Sequence, residues 1–279
     1  MINIDMKTMP LKSILNILLF GCSFLNTAAQ KLPNVQTASV RAPSDIKIDG
    51  KTTEWNGKFQ AYNHATDIFY TVSNDDSKLY LTVQVPDRSV INKIMRGGIT
   101  FTVQKSDKKT DKGGISITYP LFEQRNTPFV PPVFGVRRGP GDEIATPAGS
   151  YNRVNDSKDF KSDTMMRIYN KSLDNSKYIG VTGIKTLDTL ISAYNTDGIR
   201  VAQSFDNRIC YTYELATDLK LLGLKVSDAS KFAYHITING LSIFTVPDPQ
   251  PKPGGDNVRI DMGGSAATDM WGEYTLAKH

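Results

Sequence analysis

Cysteine is scarce in this sequence, with two residues in all. Cys22 falls in an N-terminal stretch that reads as a removable leader, so Cys210 would remain alone and an internal disulfide is excluded. Histidine is scarce too, at three residues: His64, His235 and His279. A metal centre built on imidazoles would have to recruit Asp or Glu partners that their spacing does not reveal. The chain has no Gly-x-Ser-x-Gly elbow, no His-Glu-x-x-His, no P-loop and no Cys-x-x-Cys pair, which removes the commonest local signatures of hydrolase, metalloprotease, nucleotide and dithiol chemistry. It has no long block of basic residues either. Arg137-Arg138 and Lys108-Lys109 are pairs in polar surroundings, and a net charge of +5 is too mild for a nucleic-acid partner.

Long apolar runs are also missing. Ile14 to Phe20 is the most apolar stretch, too short for a transmembrane helix, which needs about 20 residues. Lys7 and Lys12 precede it and Thr27-Ala28-Ala29 follow, the charged, apolar and small-residue layout of a secretory signal over residues 1–29. Leu19-Phe20-Gly21-Cys22 approximates a lipobox that would attach lipid to Cys22, but Phe20 is large where a small residue is usual, and soluble export ranks above lipidation. Either route predicts an exported protein: periplasmic, outer-membrane-associated or secreted. Loss of the leader removes Lys7, Lys12 and Asp5 and lowers the charge by one.

What the sequence has in abundance is alternation. Ile68, Tyr70 and Val72 share one parity; Leu79, Leu81, Val83 and Val85 share another, with Tyr80, Thr82 and Gln84 between them. Successive strand side chains point to opposite faces, so this is the pattern of half-buried antiparallel strands. Asn74 to Lys78, between the two runs, suits a hairpin turn.

Ile48-Asp49-Gly50, Glu54-Trp55, the hairpin itself and the closing Val85-Pro86-Asp87 together resemble the start of family 9 carbohydrate-binding modules and related DOMON-like β-sandwiches. Tyr211 to Ala216, leading into Leu219 to Leu224, resembles the late strand and short helical turn of the same family. Thr217-Asp218 stand where the family usually has Ile-Pro. The resemblance implies a domain over residues 46–279, preceded by a linker at 30–45. It also implies a structural role for Asp49, Gly50, Glu54 and Trp55, and a saccharide ligand. Structural calcium is a further implication, for which the Asn74-Asp75-Asp76 turn offers oxygen ligands; no metal residues follow from it.

The remainder of the chain keeps the same rhythm. Residues 89–95 suit one or two helical turns, with Ser89 as cap and Gly97 as terminator. Ile99 to Val103 and Ile115 to Tyr119 predict a second hairpin, Thr164 to Tyr169 and Tyr178 to Gly183 further strands, and residues 187–193 either strand or helical turn. Ile199 to Phe205 and Ile209 to Leu215 form a hairpin about Asp206-Asn207, and Asp218 caps a turn at Leu219 to Leu222 that Gly223 ends. Phe232 to Ile238 reads as a central strand, and strands follow at Val258 to Met262 and Met270 to Leu276. The fold class is all-β: an antiparallel, jelly-roll-like sandwich with one or two short helices and long Pro/Gly-rich loops.

Residues 120–163 hold most of those Pro and Gly residues together with Phe129, Phe134 and Tyr151. A pyranose presents an apolar C–H face to an aromatic ring, so these three and Trp271 are the candidate ligand-binding residues. The same rings would equally serve to pin a loop to the sandwich. Glu214 with Asp49 or Asp87 is the carboxylate pair that would have to flank a glycosidic bond in a hydrolase, whereas the resemblance is to binding modules. The eight methionines offer no Met/His pairing for haem. The function expected is a non-catalytic carbohydrate-binding module, the alternative being a cell-surface assembly domain that binds another protein.

Overall fold

The computed structural model describes residues 31–123, 126–130, 159–227, 231–241 and 266–278, and Leu32–His279 forms one compact unit. Among the described residues eleven strands build two antiparallel sheets. The first has the order β1 (Ala61–Asn63), β2 (Ile68–Asn74), β3 (Lys78–Val85), β9 (Tyr211–Asp218), β8 (Ile199–Phe205). The second has β11 (Thr268–Tyr274), β10 (Phe232–Ile238), β4 (Ile99–Gln104), β5 (Ile115–Leu121), β6 (Tyr178–Thr182), β7 (Leu190–Ser192). The expected hairpins are present: β2 with β3, β4 with β5, and β8 with β9 are antiparallel neighbours. The chain starts in the first sheet, crosses to the second through helix α1 (Arg88–Gly97), returns for β8 and β9, and crosses again for β10 and β11.

The inward parities meet between the layers. Tyr70 of β2 and Tyr234 of β10 are fully buried and touch hydroxyl to hydroxyl at 3.1 Å. Tyr119 of β5 faces Tyr213 of β9, with ring centroids 6.3 Å apart. Burial of such rings and of the Ile, Leu and Val side chains around them is the main favourable term in a fold of this kind.

The outward parity of β2 is buried as well: Phe69, Thr71 and Ser73 are as inaccessible as Tyr70. The cover comes from the segment before β1. Pro33 accepts from the Tyr62 N–H, Arg41 bridges to Asn74, and Phe59 packs on Phe69. The predicted linker is therefore held to the sandwich from Leu32 onward. Polar groups buried this way need partners, and four side-chain amides supply them by gripping both the N–H and the C=O of a single residue. Gln36 grips Val72 at 2.8 and 2.8 Å, and Asn74 grips Ala277 at 2.7 and 3.1 Å. Asn92 holds Val130 at 2.8 and 2.8 Å, and Asn170 holds Phe205 at 2.7 and 2.9 Å.

Three local expectations are corrected. Thr164 to Tyr169 is helical, inside α2 (Asp159–Leu173). Tyr169 and Leu173, four residues apart, are buried while Ile168, next to Tyr169, is exposed, which is helical periodicity. The α1 cap is Asp87, not Ser89: its carboxylate accepts from the Ser89 and Val90 N–H groups, and Gly98 with φ 76° ends the helix. The expected Asp218 cap of α3 (Leu219–Leu222) is not made: the Asp218 carboxylate pairs with Lys78 and Lys220 instead, while Gly223 ends the turn as expected, and residues 187–193 contain the short strand β7. No helix among the described residues is long and apolar enough to cross a membrane.

The Tyr70 hydroxyl accepts from the Gln36 N–H at 3.0 Å as well as meeting Tyr234. Tyr70→Phe therefore leaves two buried polar groups unpaired. A loss of ~1–3 kcal/mol is expected, read as a lowered urea midpoint with unchanged slope.

Candidate functional site

One turn fixes the part of the sandwich that the sequence motif marks. Gly50 has φ +78°, and a Cβ there would lie 2.6 Å from the Gln203 carbonyl carbon, so glycine is required by both conformation and space. The turn is bound on both sides. Glu214 Oε2 accepts from the Asp49 and Gly50 N–H groups at 3.0 and 2.8 Å, and Ser204 Oγ donates to the Gly50 carbonyl at 2.6 Å. Trp55 is buried beyond it, in a 3-10 turn at Thr53–Trp55, and Glu54 accepts from Thr53 Oγ1.

Glu214 is fully buried. Burial pushes its carboxyl up to about 7, against the two backbone hydrogen bonds and with help from the charges of Asp49 and Glu54. Its second oxygen, Oε1, is buried with no hydrogen-bond partner. Of the carboxylates considered for hydrolysis, Asp49 offers Glu214 its backbone N–H, and Asp87 caps α1.

The candidate aromatics separate. Phe129 is 59 % exposed and sits beside Val130, which is buried and gripped by Asn92 of α1. Trp271 on β11 stacks on His235 of β10, centroids 4.1 Å apart and planes 8° apart. His235 in turn lies between the carboxylates of Asp111 and Asp269, each 2.9 Å from a ring nitrogen. One indole face is therefore already occupied by the protein. Phe134, Tyr151, Cys22, His279 and the strand expected at Val258 to Met262 lie outside the described residues.

A cleft of about 370 Å³ opens between the C-terminal end of α2, the β7–β8 loop and β8. Tyr119, Gln203 and Asn170 contribute to its floor and walls, and Asp174, Ser204 and Tyr194 also line it. Gln203 ties the floor together: its amide donates to the Tyr119 hydroxyl at 3.0 Å and accepts from the Tyr211 hydroxyl at 2.8 Å. Burial pushes the Tyr119 hydroxyl up to about 12. Tyr194 is 77 % exposed, on a loop braced by Ser192, whose Oγ accepts from the Tyr194 N–H, and by Asn195, whose amide donates to the Ser192 carbonyl. The sequence offers no periodic signal for this site. The one hint is an aromatic inside the polar turn Ser192 to Gly198.

Two remaining expectations can be placed. Asp75 Oδ1 accepts from the Ser77 N–H, Ser77 Oγ and the Lys78 N–H, and Oδ2 accepts from the Tyr80 hydroxyl, while Asp76 pairs with Arg41. These carboxylates are committed to protein donors, a set that does not fit a Ca²⁺ site. Among the described residues no three His, Cys, Asp or Glu side chains are placed to hold a metal ion. Cys210 is buried, and burial pushes its thiol up to about 12, far from a reactive thiolate. No protein-family model matches the chain, and no curated protein matches it.

Glu214 carries a pH signature. Its folded-state pKa of about 7 stands above the ordinary 4.5, so its contribution is complete below the ordinary value and is lost as pH rises through about 7. Unfolding free energy should fall by about 2–3 kcal/mol across that window. Glu214→Gln should flatten the slope, as measured by urea midpoints over the same pH range.

Proposed function

We propose that this protein is an exported, non-catalytic binding module that takes a saccharide in the cleft between α2, the β7–β8 loop and β8. The observation that carries the reading is Tyr194, a ring 77 % exposed at the rim of a cleft with an amide-and-hydroxyl floor. An exposed aromatic on a braced loop suits the C–H face of a pyranose, and the polar groups beside it suit the hydroxyls. The floor is already hydrogen-bonded through Gln203, so little order remains to be imposed on binding. Asp174 and the Tyr194 hydroxyl are the groups that would meet the sugar. The likeness of the Asp49-Gly50 and Glu54-Trp55 stretch to family 9 carbohydrate-binding modules points the same way. Binding is expected to be weak, because the site is open and wet.

The test is retention on a panel of immobilised polysaccharides. Binding should fall roughly tenfold or more in Tyr194→Ala with no change in melting temperature, since the ring is exposed and packs on nothing essential. Binding that survives Tyr194→Ala would move the site elsewhere, and release of reducing sugar from any polysaccharide would make the protein an enzyme.

A further inference from the structure

The charge of the cleft limits which sugars it can accept. Among the described residues that line it, Asp174 is the one with a formal charge, and no lysine or arginine is present. Asp174 is exposed just past the end of α2 and lines the cleft together with Tyr194. Burial is the main cause that pushes the Tyr119 hydroxyl upward, and the Asp174 carboxylate lies close enough to the floor to add to it. An anionic ligand would therefore bring like charge against a carboxylate with no cation to receive it. In an open, wet cleft that like-charge repulsion is modest and is screened by salt.

We propose that the cleft selects uncharged sugar rings and rejects those carrying carboxylate or sulfate, an inference that rests on the saccharide reading above. Discrimination of this kind comes from a repulsive element as much as from an attractive one. The chain as a whole works in the opposite direction, because its net charge of +5 attracts anionic polymers non-specifically. A deficit on acidic polymers would accordingly report the cleft and not the surface.

The experiment uses the full chain on neutral polysaccharides, each immobilised beside its own carboxymethylated derivative, at low and at high salt. Neutral members should be retained, and their carboxymethylated partners should bind roughly three- to tenfold more weakly at low salt, a gap that narrows as salt screens the repulsion. Asp174→Asn should close the gap at low salt, and Asp174→Lys should invert it. Equal or tighter binding of the acidic derivatives, lost in Tyr194→Ala, would overturn the selectivity and leave the saccharide reading standing. A gap that persists unchanged in Asp174→Asn would also overturn it. Failure to bind any member of the panel would overturn both readings together.

Discussion

Stacking two sheets and then laying a third stretch of chain over one of them takes polar groups out of water on both faces, and each such group costs free energy unless it finds a partner inside the protein. The constraint is most severe on β2, where apolar and polar side chains alike are buried. It is met in two ways but not completely, since Ser73 Oγ on β2 and Glu214 Oε1 are buried with no hydrogen-bond partner. Apolar rings and aliphatic chains fill the interlayer, with the paired hydroxyls of Tyr70 and Tyr234 as a polar contact across it. On the outer face the Asp49-Gly50 turn presents its N–H groups to Glu214. An unpaired polar group there would cost about as much as a lost core methylene or more, so the covering segment and the sheet specify each other.

The cleft inherits its shape from the same arrangement. Helix α2 lies against β8 through Tyr169, whose ring is 5.4 Å from that of Phe205, and through the grip of Asn170 on the Phe205 backbone. Where the helix ends, β8 continues, and the step between them is the cleft. Gln203 spans it from below, bonded to tyrosines of both sheets. The floor of the site and the interior of the sandwich are thus one hydrogen-bonded structure, with Tyr194 and Asp174 added at its rim.

Much of this fold was legible because β-structure with one apolar parity writes itself into the sequence. Ile68 to Val85, Ile99 to Tyr119 and Ile199 to Leu215 each show clear alternation around a polar turn, and each became a hairpin. Helix α2 was not legible as a helix: Thr164 to Tyr169 is too short a window to separate period two from period 3.6, and the residues that decide it, Tyr169 and Leu173, straddle its end. Asp87 lost the capping role to Ser89 in the sequence reading because both are good caps two residues apart, and only geometry separates them. The cleft could not be read at all. Tyr119, Asn170, Asp174, Tyr194 and Gln203 come from separate elements, and Tyr194 sits in a turn whose composition says only that the chain reverses.

The outer edge of a sheet is where one chain can recruit another, because its free N–H and C=O groups form a ready template. At Val72 and at Phe205 that template is interrupted by Gln36 and Asn170, whose amides imitate a single residue of an adjoining strand. A carboxamide offers one donor–acceptor pair and then stops, so the ladder is closed at these points without a further strand being added. For a protein expected to work outside the cytoplasm, two short side chains stand where an unintended copy would otherwise have its foothold.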